Sequence, residues 1–178
     1  MKLNKKIIFK KNISKTEIED LCKIKCEHWD YDLKSQINWW KENSDEDYLI
    51  ITLMFGKKKV AFLRIRRREI FIYNKPLKCS FITEVCVSNE FKSMGVGRKI
   101  MFEANKYLIS QKEIGYLLCF KDKDEFYKKC KWILFKGVNI RSKSFKSFLR
   151  NNQKSCFFFN IKQKLNSVQL NNITIEVR

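Results

Sequence analysis

Hydrophobic positions along this chain follow two rhythms, and the order in which they change predicts the architecture. Ile7 to Lys10 reads as a first strand. Ser14-Lys15-Thr16-Glu17 then has capping-box spacing, and Ile18, Leu21 and Cys22 follow on one helical face. A second short helix carries Trp39 and Trp40. The rhythm next shortens to that of strands: Tyr48 to Phe55, a turn at Gly56 to Lys59, Val60 to Arg67, and Ile70 to Tyr73 turning at Asn74-Lys75-Pro76 into Leu77 to Val87. Consecutive hairpins predict antiparallel pairing. Beyond a short glycine-containing segment, Ile100, Met101, Ala104, Tyr107 and Leu108 recur at helical spacing, and Tyr116 to Phe120 is an apolar run expected of a buried strand. Strand, helix and strand in that order predict a right-handed parallel crossover. Asp124 is placed to cap a short helix with Phe126, Tyr127 and Cys130. Trp132 to Phe135 opens a last β section that includes Cys156 to Ile161. The pattern predicts a mixed α/β (α+β) fold, antiparallel at first and parallel near its middle.

A chain of 178 residues with a single proline, Pro76, and no repeat or Gly/Ser-rich linker reads as one domain spanning 1–178. The aromatic share of 14%, with 15 Phe, excludes a disordered polyelectrolyte. Charge changes the picture more: 38 Lys plus Arg against 19 Asp plus Glu leave a formal net charge of +19, and such a surface attracts polyanions. The cations are dispersed, through Lys2, Lys5 and Lys6, the run Arg66-Arg67-Arg68, and the stretch from Arg141 to Lys154. A lysine-rich background, a phosphorylated cofactor and nucleic acid all account for them. Seven cysteines form no C-x-x-C pair, and their odd number fits reduced thiols. His28 is the only histidine, so no metal site is expected. Ile7-Ile8-Phe9 is too short for a signal peptide or a membrane span, and the expected location is the cytoplasm.

The candidate chemistry sits where strand gives way to helix, in Val85-Cys86-Val87-Ser88-Asn89-Glu90-Phe91-Lys92-Ser93-Met94-Gly95-Val96-Gly97-Arg98. A β-branched run ends in a basic loop, and the loop opens into a helix whose first N–H groups lack intrahelical partners. The glycines let backbone approach an anion, and Lys92, Arg98 and Lys99 add charge. By itself the pair is either a phosphate cradle or an ordinary strand-to-helix turn.

Two ordered elements resemble the GNAT superfamily of N-acetyltransferases. Val85-Cys86-Val87 followed by Lys92-Ser93-Met94-Gly95-Val96-Gly97 is similar to its central signature, with Lys92 where the family has Arg or Gln. Leu117-Leu118-Cys119 followed by Phe126-Tyr127-Lys128-Lys129-Cys130-Lys131-Trp132 is similar to a second one. Within the superfamily, the hairpin from Tyr73 to Val87 looks most like aminoglycoside 2′-N-acetyltransferases and their relatives.

The resemblance implies a mostly antiparallel sheet flanked by helices, with a parallel strand pair at an acetyl-CoA site. It implies that the pyrophosphate lies on the amides of Lys92, Ser93, Met94, Gly95, Val96, Gly97 and Arg98, and that the pantetheine arm pairs with Val85, Cys86 and Val87. It also implies direct acetyl transfer to a primary amine of a small-molecule acceptor, with Tyr127 as proton donor to the departing thiolate. Glu84 is the nearest carboxylate for the base, although aminoglycoside enzymes carry theirs one position earlier, where this chain has Thr83. Cys86 and Cys119 read as core thiols, since direct transfer needs no acyl-enzyme. Trp29, Tyr31, Trp39 and Trp40 either wall an acceptor pocket or belong to the core. A polycationic acceptor is disfavoured by the charge unless Asp45, Glu46 and Asp47 form a local acidic pocket, and an acidic or neutral amine, or a nucleic-acid-associated one, fits better. Two other readings stay open: a basic nucleic-acid-binding module using Arg66-Arg67-Arg68 and the Phe/Lys-rich tail, and a non-catalytic acetyl-CoA sensor. The state of assembly, a homodimer included, is undetermined.

Overall fold

The first strand forms where the alternation starts. β1 (Asn4–Phe9) begins three residues before the predicted Ile7 and pairs antiparallel with β2 (Tyr48–Phe55), matching Ile7 to Ile51. Between them lie α1 (Lys15–Cys26) and α2 (Leu33–Glu42). The capping box is present: the Glu17 N–H donates to Ser14 Oγ at 3.1 Å and the Ser14 N–H donates to Glu17 Oε2 at 3.3 Å. Asp32 caps α2 by accepting from the Ser35 N–H at 2.7 Å. The computed structural model describes residues 1–44, 47–72, 75–135, 139–142, 154–161 and 174–177. Asp45 and Glu46 of the acidic stretch, Tyr73 and Asn74 of the hairpin turn, and residues 143–153 of the basic tail lie outside them.

β3 (Lys58–Ile72) is one continuous strand, where the sequence suggested a break after Arg67. Its polar stretch Arg66-Arg67-Arg68-Glu69 stays extended because strand geometry needs backbone partners rather than apolar side chains at every position. β4 (Lys75–Val87) takes up Lys75 and Pro76, which the sequence assigned to the turn. The chain then enters α3 (Val96–Ser110), β5 (Ile114–Phe120), α4 (Asp124–Lys129), β6 (Ile133–Phe135), β7 (Asn139–Ser142), β8 (Lys154–Phe159) and β9 (Thr174–Val177). Asp124 is the first residue of α4 and not its cap. Lys123 holds the cap position and makes no side-chain capping bond.

The chain gathers into two compact units, Met1–Arg66 with Ile82–Ala104 and Arg67–Phe81 with Asn105–Arg178. The crossings fall inside β3, β4 and α3, so no loop-like composition marks them. In the first unit, β2 and β3 are antiparallel, with Ile51 opposite Leu63. Its core under α1 and α2 joins Leu21, Ile24, Trp40, Ile50, Phe62 and Cys86. In the second, β4 pairs parallel with β5 through Cys79, Ser80 and Phe81, and β8 runs antiparallel to both β5 and β6. The parallel pairing fulfils the strand–helix–strand expectation. The core of this unit is aromatic: Phe81 stacks on Tyr116 with centroids 4.5 Å apart, and Phe158 lies 4.7 Å from Phe135. The hydrogen-bonded order of the sheet is β1-β2-β3-β4-β5-β8-β6, with β9 paired to β3 and β7. This is the mixed, mostly antiparallel sheet with a parallel β4–β5 pair that the resemblance implied, and β7 and β9 are also parallel.

Gly115 shows how tightly the second unit is packed. A Cβ there would lie 2.6 Å from Leu108 Cδ1 and 2.7 Å from Trp132 Cη2, below any real contact. Gly115→Ala is therefore expected to lower stability by about 1–3 kcal/mol through overpacking, read as a reduced denaturant midpoint at unchanged m-value.

Candidate active site

At the end of β4 the backbone sets the geometry. The Ser88 N–H donates to the Val60 carbonyl at 2.8 Å, so Ser88 faces β3. Alternation then sends the N–H and C=O groups of Val85 and Val87 to the opposite edge. Among the described residues the ladder to β5 pairs Cys79, Ser80 and Phe81 of β4 with Ile114, Gly115 and Tyr116. Buried Phe91 anchors a 3-10 turn, Asn89–Phe91, and the chain leaves it through Lys92 in extended conformation. Ser93 and Gly95 follow with left-handed φ of 63° and 78°. A Cβ at Gly95 would meet nothing nearer than the Arg98 guanidinium at 4.0 Å, so glycine is needed there for its torsion and not for space. Gly97 sits in the first turn of α3 without a left-handed torsion.

Helix α3 is pinned by buried Val96 and Ile100, while Lys92, Ser93, Met94, Arg98 and Lys99 are exposed. The Lys99 N–H donates to the Gly95 carbonyl at 3.0 Å, and the amides of Val96, Gly97 and Arg98 precede that bond at the positive end of the helix. No acidic side chain occupies the first turn. Main-chain donors and three cations, with no local carboxylate in the turn, fit a diphosphate.

The end of α1 is tied to the same strand. His28 Nε2 lies 2.8 Å from the Val87 carbonyl, and because a carbonyl only accepts, this nitrogen carries the proton. Glu27 accepts from the Ser88 hydroxyl at 3.1 Å and from the Asn89 N–H. His28 drew notice in the sequence only as the one histidine. It follows α1 in a turn, and no local pattern signals a bond spanning 59 residues.

Glu84 occupies a left-handed conformation, φ 54°, within β4. Its carboxylate is nearly buried. Oε1 accepts from Arg64 Nη2, and Oε2 lies 3.6 Å from Lys25 Nζ. Arg64 is fully buried and Lys25 is 3% exposed. Aromatic faces complete their surroundings: Trp39 lies 4.0 Å from Lys25 Nζ, and Trp40 lies 4.5 Å from Arg64 Cζ. Trp40 belongs to the core, donating from Nε1 to Tyr48 at 3.2 Å, whereas Trp29, Tyr31 and Trp39 are exposed. The four aromatics therefore divide between core and surface. Arg64 was missed, although strand alternation sets it beside inward-facing Phe62, and a buried cation requires a partner.

In the second unit, Tyr127 is buried on α4, edge-on to Phe126 at 5.0 Å and tilted against Phe157 at 5.6 Å. Asn105 secures the segment after α4, donating to the Cys130 carbonyl at 3.0 Å and accepting from Trp132 Nε1 at 2.9 Å. All seven cysteines are free. Burial raises the Cys86 thiol well above its ordinary range, and burial followed by the nearby Asp124 carboxylate pushes Cys119 up to about 12. Among the described residues no cluster of ligand side chains suits a metal, and no helix is long and apolar enough to cross a membrane.

The basic triplet is not a uniform cationic surface. Arg66 is buried and donates to the Asn43 carbonyl at 3.2 Å, and Arg67 pairs with Glu113 at 3.4 Å. Arg67 and Arg68 line a groove of about 540 Å³ together with Glu69, Lys78, Cys79 and Glu113.

Residues 15–132 match the model of the acetyltransferase (GNAT) family, and the chain belongs to that family. Solved structures share the fold. ElaA of Escherichia coli superposes with a TM-score of 0.63 at 14% identity, covering 88% of this chain and 99% of its own. The PaiA N-acetyltransferase of Thermoplasma acidophilum, determined in complex with coenzyme A, gives 0.58 at 12% identity, covering 89% and 98%. A GCN5-related N-acetyltransferase from Kribbella flavida gives 0.59 at 14% identity over 74% of this chain, which spans only 33% of that protein. At these identities the likeness is one of fold.

Two measurements check this geometry. Glu84→Ala strands two buried cations and is expected to cost about 3–5 kcal/mol of unfolding free energy by denaturant titration. Burial, which raises both thiols, keeps Cys86 and Cys119 protonated at pH 8, and the thiolate is the form that reacts. A thiol-specific alkylating agent is therefore expected to leave Cys86 and Cys119 unmodified in the native protein, as mass mapping would show.

Proposed function

We propose that the protein transfers an acetyl group from acetyl-CoA to a primary amine of a small-molecule acceptor. The observation that carries this reading is the end of β4, where an edge carrying the Val85 peptide groups and the Val87 N–H, the Val87 carbonyl being held by His28, runs into the left-handed Ser93–Gly95 loop and the start of α3. An edge of that kind suits an amide-bearing arm, as when a peptide adds to a sheet, and the loop suits a diphosphate. Coenzyme A carries both groups. Lys92, Ser93, Met94, Gly95, Val96, Gly97 and Arg98 would hold the phosphates, mostly through main chain, so lysine in place of the family's Arg or Gln costs little. Val85, Cys86 and Val87 would hold the pantetheine arm.

The bound thioester supplies an activated acetyl group. The protein's part is to deprotonate the amine, since an alkylammonium with a pKa of about 10 is protonated at neutral pH, and to protonate the departing sulfur. We assign the first task to Glu84 through Oε2, whose partner Oε1 is bound to Arg64. The second falls to the Tyr127 phenol, on the family resemblance. In the balanced step the ammonium would first lose a proton to Glu84; the acceptor nitrogen would then bond to the acetyl carbon as the carbon–sulfur bond breaks, the thiolate would gain a proton from Tyr127, and the second nitrogen proton, shed as the amide forms, would restore the Tyr127 phenol by way of solvent. The raised thiols of Cys86 and Cys119 give no nucleophile for an acyl-enzyme route.

Calorimetric titration with acetyl-CoA at two salt concentrations is expected to give saturable one-to-one binding that persists at the higher salt and is abolished in Gly95→Glu. A short oligonucleotide in parallel should bind weakly, if at all. Oligonucleotide binding without cofactor binding would reverse the assignment in favour of a nucleic-acid module. Tyr127→Phe is expected to slow turnover by about tenfold or more while sparing acetyl-CoA binding. An acetyl-CoA sensor would show binding in both forms and turnover in neither.

A further inference from the structure

The cluster around Glu84 is unbalanced in charge. Two buried cations, Lys25 and Arg64, face one carboxylate, and among the described residues no second acid lies within ion-pair distance of either. Arg64 uses one nitrogen on Glu84. Its Nε and Nη1 are buried with no hydrogen-bond acceptor, and Glu84 Oε2 is buried with no donor at hydrogen-bond distance. Ring faces offset part of the excess charge but accept no N–H bond of ordinary strength. A buried cation with unused donors is costly unless an anion completes it. The left-handed backbone at Glu84 adds strain at the same point, of the kind that collects where a ligand is handled.

We propose that Lys25 and Arg64 bind a carboxylate of the acceptor, so that the amine acetylated by this protein belongs to an amino-carboxylate and not to a polycation. This rests on the acetyltransferase reading above and names the acceptor class for it. Trp29 and Trp39 form the cover. They are 39% and 41% exposed, yet their rings lie 5.8 Å and 4.0 Å from the ammonium of Lys25. The Trp39 ring also lies 5.5 Å from the Arg64 guanidinium. Buried Trp40 and Tyr48 hold other faces of Arg64, at 4.5 Å and 5.0 Å, so the proposed approach is from the side of the partly solvated Trp29 and Trp39, whose displaced faces offer apolar contact to the body of the acceptor. A carboxylate entering there satisfies the idle donors of Arg64 and draws Lys25 away from Glu84. The Oε2 oxygen is left to take the proton of an amine on the same molecule. A polyamine or aminoglycoside brings ammonium groups against two buried cations and is repelled.

The test uses the full chain saturated with coenzyme A and matched ligands differing only in charge: β-alanine against β-alaninamide, 4-aminobutanoate against 4-aminobutanamide, phenylalanine against phenylalaninamide, with spermidine as the polycation. Calorimetry gives affinity, and tryptophan fluorescence reports movement of the cover. In at least one pair the carboxylate is expected to bind about tenfold or more tightly than its amide and to change the fluorescence, with spermidine inert. Arg64→Gln and Lys25→Gln should each erase that preference, with the coenzyme A titration as the folding control. Should Arg64→Gln fail to fold, Lys25→Gln and the wild-type pairs carry the comparison. Amides that bind as well as their carboxylates, tight spermidine binding, or no carboxylate binding alongside normal coenzyme A binding overturns the proposal. A protein that does not bind coenzyme A at all overturns the acetyltransferase reading itself, so the two failures are distinct.

Discussion

The left-handed turn of backbone at Glu84 is the constraint on which the first unit's chemistry depends. A residue with a side chain resists that torsion, and here it is retained because the carboxylate is drawn inward to Arg64 on β3 and Lys25 on α1. Three elements thus converge on one oxygen pair. Without the cations the carboxylate could not be buried, and without the carboxylate two cations would be stranded under aromatic rings. Beyond Glu84 the strand carries Cys86 into the core, with Ser88 facing β3 and the peptide groups of Val85 and Val87 on the other edge.

That edge leads into the loop proposed to hold a diphosphate, whose donors are mostly main chain. Ser93 and Gly95 turn left-handed, α3 begins immediately, and buried Val96 and Ile100 keep the helix in place while its cations reach solvent. The total charge of +19 is a poor guide to this arrangement, because several of the conspicuous cations are engaged elsewhere. Arg66 is buried on a carbonyl, Arg67 is paired with Glu113, and Arg64 serves Glu84. Local geometry, more than net charge, sorts the cations that can meet a ligand from those that hold the fold.

The second unit is built on different principles. Its core is aromatic, stacking Phe81 on Tyr116 with Phe158 and Phe135 close by, and Asn105 fastens the segment after α4 through two hydrogen bonds. Tyr127 is held within that packing. A phenol fixed between Phe126 and Phe157 has little rotamer freedom to lose, which suits the proton-donor role proposed for it.

Hydrophobic period alone was enough to mark α1 with its capping box, the Trp39–Trp40 helix, β2 to the residue, α3 and the buried strand β5, because each depends on contacts a few residues apart. The same locality made the strand–glycine–helix loop visible. It failed where the pattern was polar, splitting β3 at Arg67 although backbone pairing continues, and it set Asp124 as a cap when that residue starts the helix. Left-handed Ser93 and Glu84 carry no local mark, since neither is glycine. The Lys25–Arg64–Glu84 cluster and the bonds of Glu27 and His28 to the end of β4 join residues 20 to 62 positions apart. Sequence thus determined which segments are helix or strand and where an anion could rest. Only tertiary structure decided which charges are buried together, because burial and pairing depend on what distant segments bring to the same point.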